Sequence, residues 1–203
     1  IGRYNAAGLV ETDPDTGEET VTGLEAIAIG TRNAAEGDST IAFGLDNQAE
    51  DEKDIAIGLG NTARGGESSA FGRDNDASGS NSSAFGNEND ASGLSSSAFG
   101  YENNASGDRS SAMGHDNVAS GLNSSAMGFR STASGAYGTA VGANSEAAAD
   151  YSLAMGNSDA GGSGARVAAG ATNGIAIGRN ASVAAAGIDA IASSASENTS
   201  GAA

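Results

Sequence analysis

The chain contains no cysteine and no tryptophan, and its 203 residues include one proline, one lysine (Lys53) and one histidine (His115). Without cysteine it can form neither disulfide bonds nor thiolate metal sites, and it has no thiol nucleophile. Basic residues number 9 against 26 acidic residues, so the formal net charge is −17. A charge of this sign repels phosphate groups and anionic lipid, so we expect no nucleic-acid partner and no direct membrane contact.

Long apolar runs are also missing, and no signal peptide opens the chain. Ile1-Gly2, followed by Asn5 and Ala7, has the spacing of the end of a repeat described below. We therefore expect a fragment whose targeting and anchoring parts lie outside it.

The residues needed for a catalytic site are equally scarce. A single histidine supports no triad, and the chain has neither a Gly-x-Ser-x-Gly elbow nor a phosphate-binding loop. Acidic turns such as 50–54 offer oxygen ligands for Ca²⁺, but the Gly-Gly-x-Gly-x-Asp pattern of calcium β-rolls is absent. We interpret these turns as solvated and expect no enzyme, no catalytic residue, no cofactor and no metal site.

What the chain does have is a repeat built on glycine, which occurs 32 times. A tetrad of the type x-Ala-x-Gly recurs every 14 residues in ten consecutive copies. Its glycines are Gly30, Gly44, Gly58, Gly72, Gly86, Gly100, Gly114, Gly128, Gly142 and Gly156.

A second Ala-x-Gly follows within most copies, as in Ala91-Ser92-Gly93, with Asp51 and Ala149 in place of its glycine in two of them, and most copies have an asparagine just before it, as at Asn89. The unit is too short for two helices, and two glycines per unit disfavour helix. It suits two short strands and two tight turns, in which we expect asparagine and glycine to supply the turn conformations. Successive units then stack as parallel strands, about 4.8 Å apart.

The alternation of side chains along a strand assigns two faces to each unit. Ala84 and Gly86 share one face, while Ser83 and Phe85 share the other. Two strands joined by tight turns enclose a narrow interior, so we expect the Ala and Gly columns to point inward. The outward column is an apolar stripe: Ile29, Phe43, Ile57, Phe71, Phe85, Phe99, Met113, Met127, Val141 and Met155.

An exposed apolar stripe of this length marks an interface. Full burial of one such side chain contributes about 1.5–3 kcal/mol, and ten per chain could hold an oligomer together. We therefore predict that the stripe residues form an interface between copies of this chain. A cyclic assembly would cover the stripe, but this argument leaves the number of chains open.

The repeat resembles that of YadA-type heads of trimeric autotransporter adhesins, which reads Asn-Ser-Val-Ala-Ile-Gly-x-x-Ser. Residues 123–128 are Asn-Ser-Ser-Ala-Met-Gly, followed by Ser131, and residues 41–44, 55–58 and 175–178 match the apolar positions more closely. The resemblance covers residues 24–192. It implies an all-β, left-handed parallel β-roll assembled as a homotrimer.

The resemblance also implies a place and a set of partners. The chain would lie on a bacterial cell surface, anchored in the outer membrane through parts outside this fragment. Its partners would be an extracellular matrix protein, a host cell, other bacteria or an abiotic surface.

Irregular segments divide the chain into four parts. Residues 1–23 comprise the end of a preceding coil and an inserted β-hairpin, with strands at 9–12 and 18–22 around the turn at 13–17. We interpret this hairpin as a cap for the open sheet end or a ligand-contacting loop. Regular repeats occupy 24–156, irregular final coils 157–192 and a polar tail 193–203.

The turn aromatics Tyr101, Phe129, Tyr137 and Tyr151 form a candidate ligand surface, or else they stack against neighbouring chains. The leading function is multivalent attachment by the head of a surface adhesin. Two alternatives are a monomeric ice-binding solenoid that uses its Ser and Asn columns, and a passive spacer in a surface fibre.

Overall fold

The computed structural model describes residues 2–3, 6–7, 9–12, 19–158, 164–184 and 191–193, and these residues form β-strands but no helix. No helix in this part of the chain is therefore long and apolar enough to cross a membrane. The strands are β1 (Gly2–Arg3), β2 (Ala6–Ala7), β3 (Leu9–Thr12), β4 (Glu19–Thr22), β5 (Ile27–Thr31), β6 (Ala34–Ala35), β7 (Ile41–Leu45), β8 (Gln48–Ala49), β9 (Ile55–Leu59), β10 (Thr62–Ala63), β11 (Ser69–Arg73), β12 (Asp76–Ala77), β13 (Ser83–Asn87), β14 (Asp90–Ala91), β15 (Ser97–Tyr101), β16 (Asn104–Ala105), β17 (Ser111–His115), β18 (Val118–Ala119), β19 (Ser125–Phe129), β20 (Thr132–Ala133), β21 (Thr139–Ala143), β22 (Glu146–Ala147), β23 (Leu153–Gly156), β24 (Arg166–Val167), β25 (Ile175–Ile177), β26 (Ser182–Val183) and β27 (Ile191–Ser193).

Two parallel sheets contain all of these strands except β3 and β4. The long-strand sheet has 13 strands in the order β1-β5-β7 and onward to β27, and the short-strand sheet has 12 strands from β2 to β26. Equivalent residues of successive coils pair in register, as Phe71 with Phe85 and Ala77 with Ala91. The prediction of stacked parallel coils is confirmed: the fold is an all-β parallel solenoid of about 11 coils with turns of about 14 residues.

Alanine fills the interior of the solenoid. The second residue of each long strand from Ala42 to Ala154, and the second residue of each short strand from Ala35 to Ala147, is an alanine with 0% exposure. Near the C-terminal end of the described chain, Val167 and Val183 occupy the inward position of the short strands. The two sheets lie too close together for larger side chains in the regular coils, which explains the constancy of alanine.

The asparagines that precede the second Ala-x-Gly, such as Asn89, do not adopt the turn conformation that we predicted for them. The residue with left-handed backbone is the one before each asparagine, such as Glu88 at φ 56° and Glu102 at φ 53°. Asn89 itself is 1% exposed and points into the coil. The prediction is wrong because asparagine is favoured both in left-handed turns and as a partner for backbone groups, and here it has only the second role.

We call the column of inward asparagines beside this first turn the Asn corner. In each coil the Nδ2 donates to carbonyl oxygens of its own and the next coil, as from Asn89 to Phe85 at 3.1 Å and to Gly100 at 2.8 Å. The Oδ1 of one asparagine accepts from the Nδ2 of the next, as from Asn103 to Asn89 at 2.9 Å, and the Oδ1 of Asn117, the last in the column, accepts from Ser131 N. The column consists of Asn33, Asn47, Asn61, Asn75, Asn89, Asn103 and Asn117, and Ser131 and Ser145 continue it.

The second turn has its own inward column, which we call the Ser corner. It consists of Thr40, Asp54, Ser68, Ser82, Ser96, Ser110, Ser124 and Ser152. These side chains are as deeply buried as the asparagines, but the hydroxyls of Ser82, Ser96, Ser110 and Ser124 have no hydrogen-bond partner. At these four coils the two corners therefore differ in bonding and not in burial.

The first glycine of each repeat does not face the interior, contrary to our prediction. Gly86 is exposed and has φ +124°. A Cβ atom added to it would lie 2.0 Å from the carbonyl oxygen of Gly100 in the next coil. Glycine is needed here because successive backbones approach each other closely at a positive φ, and not because the interior is narrow.

Both ends of the regular stack are altered. Strands β3 and β4 pair antiparallel between β2 and β5, with Leu9 opposite Thr22 and Thr12 opposite Glu19. The turn that would join them, at 13–18, lies outside the described residues, as does the tail after Ser193. Beyond β23 the coils become longer, since β22 pairs with β24 and residues 157–165 separate β23 from β24.

Candidate functional site

The apolar stripe runs along the outer face of the long-strand sheet. Each of its residues follows an inward alanine, so strand alternation directs the side chain outward. The phenyl rings of Phe71, Phe85 and Phe99 stack along the solenoid, with centroids 4.7 and 5.1 Å apart. More than a third of the residue surface is exposed at five stripe positions, and the other five are half-buried. The exposed five are Ile29, Phe43, Phe99, Met113 and Met155, and the half-buried five are Ile57, Phe71, Phe85, Met127 and Val141.

The stripe changes in width along the chain. In the first three regular coils it is flanked by Ile27, Ile41 and Ile55 on one side and by Leu45 and Leu59 on the other. In the middle coils the first of these flanks is hydrophilic, and it consists of Ser69, Ser83, Ser97, Ser111, Ser125 and Thr139. The apolar face is therefore broad near β5 and narrow near β11 and β13.

Acidic residues avoid this face altogether. None of the described strands of the long-strand sheet contains Asp or Glu, although the chain carries 26 such residues. The carboxylates of the regular coils lie instead in the turns and on the short strands. On β12, burial raises the pKa of Asp76, the neighbouring Asp90 adds to the rise, and Arg64 opposes it.

The four predicted ligand-contact aromatics do not form one surface. Tyr101 and Phe129 lie where the long strands enter the first turn, with the imidazole of His115 between them at centroid distances of 4.9 and 5.1 Å. Tyr137 and Tyr151 lie at the opposite ends of the long strands, in the second turn, with rings stacked at 4.9 Å. The structure thus separates two aromatic clusters by the width of the sheet.

Neither aromatic cluster lies at a group of side chains that could hold a metal ion. Within the described residues, no three His, Cys, Asp or Glu side chains are close enough together to hold a metal ion. His115 contacts aromatic rings on both sides and is the only histidine of the chain. What the geometry offers is surface: one apolar face, and turns that are rich in carboxylates and aromatic rings.

Comparison with known families identifies the repeat. A model of the YadA head domain repeat, which spans two copies, matches residues 22–47, 35–61, 63–89, 91–117, 119–145 and 133–158. The chain belongs to the YadA head family. A search of curated proteins gives no match.

Membership of the YadA head family confirms the resemblance on which the sequence analysis relied. The matches end at residue 158 and so leave out nearly all of the irregular final coils that we had included in the resemblance. The YadA head family comprises bacterial cell-surface adhesins and not enzymes, so membership indicates an adhesin-type function.

One group of surface residues escaped the sequence analysis. Glu88, Glu102 and Asp116 occupy the same first-turn position in successive coils, next to Asn87, Tyr101 and His115. Their alignment follows from the 14-residue period, which could have revealed them. The varied residue types at that position concealed the column.

Proposed function

We propose that this chain is the head of a homotrimeric adhesin that buries its apolar stripe between three chains. The single observation that supports the proposal most is the exposed stripe on a face without carboxylates. A monomer would leave this face in water, while a cyclic assembly would remove it from water in every chain at once. The number three comes from the family, because YadA-like heads form trimers in general.

The distribution of charge supports the same arrangement. With a net charge of −17 per chain, three chains would repel each other strongly if carboxylates met at the interface. The long-strand sheet has none, so the assembly would place the acidic turns and short strands outward. The repulsion then acts over longer, solvent-screened distances.

The repeated surface of the stacked coils would provide many equivalent contact points for adhesion. Successive coils repeat one surface at intervals of about 4.8 Å, and three chains would repeat it threefold. Individually weak contacts then combine into high avidity towards a target that is itself extended. We propose an extracellular matrix protein, a host cell, other bacteria or an abiotic surface as the target, and a bacterial outer membrane as the site of anchoring.

The oligomeric state tests the first half of the proposal. Light scattering during size-exclusion chromatography should give a mass near three times 19.5 kDa over a range of concentrations. Phe85→Glu, on the stripe, should shift the mass towards that of one chain, because burying an unpaired charge costs several kcal/mol. Ser92→Glu adds the same charge to the exposed short-strand face and should leave the mass unchanged.

Each other result has a definite meaning. A folded monomer that persists at high concentration contradicts the interface, and ice-recrystallisation inhibition by such a monomer would favour the ice-binding alternative. Equal effects of both substitutions would mean that the added charge acts through overall repulsion and not through the stripe.

Attachment tests the second half. Cells that display the full fibre should bind matrix-coated or abiotic surfaces. Deletion of two regular coils should reduce the number of attached cells by a larger fraction than it reduces the length of the fibre. If attachment is unchanged when the fibre is shortened in this way, the coils serve as a spacer.

A further inference from the structure

The first-turn edge of coils β13 to β17 combines carboxylates with an aromatic ring. Backbone hydrogen bonds stack this turn position from coil to coil: Glu102 N donates to Asn87 O at 3.0 Å, and Asp116 N donates to Tyr101 O at 2.9 Å. We call Glu88, Tyr101, Glu102 and Asp116 the first-turn strip. Tyr101 is 41% exposed, so this strip presents both an aromatic residue and three carboxylates to solvent.

The chain's own arginines already interact with both ends of the strip. At one end, Arg73 Nη2 lies 3.4 Å from Glu88 Oε1. At the other end, Arg130 Nε lies 2.9 Å from Asp116 Oδ2, and its guanidinium carbon lies 5.0 Å from the centre of the Phe129 ring. Arg130 therefore shows, within this molecule, a guanidinium bound by a carboxylate and an aromatic ring together.

The centre of the strip offers the same two groups without an arginine. Tyr101 and Glu102 occupy the positions that Phe129 and Arg130 hold two coils later, so a carboxylate stands here where the guanidinium stands there. Within the described residues Glu102 makes no ion pair, which leaves a ring and a carboxylate side by side for a guanidinium from outside the chain. Negative charge is in excess here: the hydrogen bond to Glu102, and then its charge, raise the pKa of the Tyr101 phenol, and the Arg73 charge opposes this.

We infer that the first-turn strip is a docking surface for an arginine-bearing, extended segment of a partner protein, with Tyr101 and Glu102 holding one guanidinium. This inference rests on the proposed function, because it names a partner class for the adhesin head. A planar guanidinium can lie against a ring and donate to a carboxylate at the same time, whereas a lysine ammonium is a compact charge that is more strongly hydrated. The strip therefore favours arginine over lysine.

Binding of two short labelled peptides tests the inference. The probes are acetyl-Arg-Ser-Arg-Ser-Arg-amide and its lysine analogue. Their binding is followed by fluorescence anisotropy at about 0.15 M ionic strength, where distant charges are screened, and the mass of each protein sample is determined in parallel. We expect the arginine peptide to bind several-fold more tightly than the lysine peptide. Glu102→Gln should weaken arginine-peptide binding about twofold to fivefold, the range for an exposed ion pair. Tyr101→Ser should weaken it by a similar factor and abolish the preference for arginine.

Glu50→Gln provides the matched control. It removes one carboxylate from an exposed position on the other side of the solenoid, so it changes net charge equally. Its effect should stay below about 1.5-fold, because a distant charge is screened by salt. Equal losses for Glu50→Gln and Glu102→Gln, or equal affinity for both peptides, would overturn the inference, since binding would then follow net charge alone.

The parallel mass measurement separates this inference from the proposed function. A monomer that still shows the dependence on Glu102 and the preference for arginine would uphold the docking surface and contradict the trimer. A trimer whose binding follows net charge alone would contradict only the docking surface.

Discussion

The Asn corner and the Ser corner are two solutions to the same problem on opposite sides of one coil. Each places a polar side chain in the interior once per repeat, three residues after a glycine, as Asn89 follows Gly86 and Ser96 follows Gly93. Both side chains are essentially inaccessible to water. Asn89 uses its amide group fully, whereas the hydroxyl of Ser96 has no partner.

This difference shows that burial alone does not measure what a polar residue contributes. A buried group that is hydrogen-bonded stabilises the fold modestly, and its removal leaves its partners unpaired. A buried group without a partner loses its hydrogen bonds to water and gains none in the protein, so it destabilises the fold. Substitutions at the two corners should therefore have very different effects despite similar burial.

The largest expected effect separates the glycines of the two corners. Gly100 has φ +123°, and a Cβ there would lie 2.1 Å from Gly114 O. Gly107, on the Ser side, would bring a Cβ to 2.2 Å from Gly121 O but has no positive φ. Gly100→Ala should therefore destabilise the protein more than Gly107→Ala, by about 1–3 kcal/mol of additional backbone strain. Urea unfolding at one fixed protein concentration measures the difference.

The chain itself provides a control for the glycine prediction. Ala149 stands at the Ser-side glycine position and is 1% exposed, and Asp51 stands there in another coil. The Asn side has glycine in every regular coil from Gly30 to Gly156. Equal destabilisation by the two substitutions would mean that only the approach of the next coil matters and that backbone strain does not.

Removal of one asparagine should have the next largest effect. Asn89→Ala eliminates the bonds that Nδ2 donates to Phe85, Gly100 and Asn75, and it leaves Asn103 without its acceptor. We expect a loss of about 3–5 kcal/mol, because several buried partners become unpaired together. Hydrogen exchange followed by mass spectrometry should show lost protection centred on the coils that contain β13 and β15.

Asn89→Ser is the matched variant for this experiment. Ser145 shows that a serine can occupy the corner, since its Oγ lies 3.0 Å from Val141 O and 2.7 Å from Gly156 O. Asn89→Ser should therefore recover about half of the lost stability. If serine were no better than alanine, the continuity of the amide column would matter more than the bonds to backbone carbonyls.

The two corners also show which features of the fold can be predicted from the sequence and which cannot. The 14-residue period predicts the coils, their parallel pairing and the inward alanines, because a period of two along each strand has only one way to bury small residues. It does not distinguish an asparagine that forms a turn from one that bonds the backbone, because both roles favour the same residue beside the same turn. The left-handed position before it holds Arg32, Asp46, Glu88 and Asn144, types that give no common signal.

Of the two candidate surfaces, one can be predicted from the sequence and the other needs the structure. Alternation along the strands suffices to place Phe85 and the rest of the stripe outward. The first-turn strip depends on neighbours in different coils, such as Glu88 and Glu102, whose proximity only the stacked turn creates. Whether the stripe is an interface stays a prediction, since it depends on other chains.

A smaller effect is expected at Asp54, the one carboxylate of the Ser corner. Its Oδ1 accepts from Ser68 N at 2.8 Å and Ser68 Oγ at 2.9 Å, and its Oδ2 accepts from Asp51 N at 2.9 Å. In Asp54→Asn, one carboxylate oxygen becomes an NH2 group that faces an N–H or O–H group, and two donors cannot bond each other. The substitution should therefore lower the free energy of unfolding by about 1–3 kcal/mol. Asp54→Ser should cost less than about 1 kcal/mol, because Ser68 accepts from Gly65 N in the equivalent place. Thermal unfolding of both variants provides the comparison, and a more stable asparagine variant would contradict it.

The smallest effect, and the strictest test of the comparison, is expected for Ser96→Ala. Its hydroxyl has no partner, so alanine removes an unpaired buried group and should change stability by no more than about 0.5 kcal/mol, with stabilisation the favoured direction. Ser152→Ala is the matched control, because Ser152 Oγ donates to Ala149 O at 2.6 Å and its loss should cost about 1 kcal/mol. Hydrogen exchange of the coil that contains β14 and β15 measures how Ser96→Ala changes the stability of that coil. A loss above 1 kcal/mol at Ser96 would show that its hydroxyl is bonded in solution, in which case the two corners would follow the same rule.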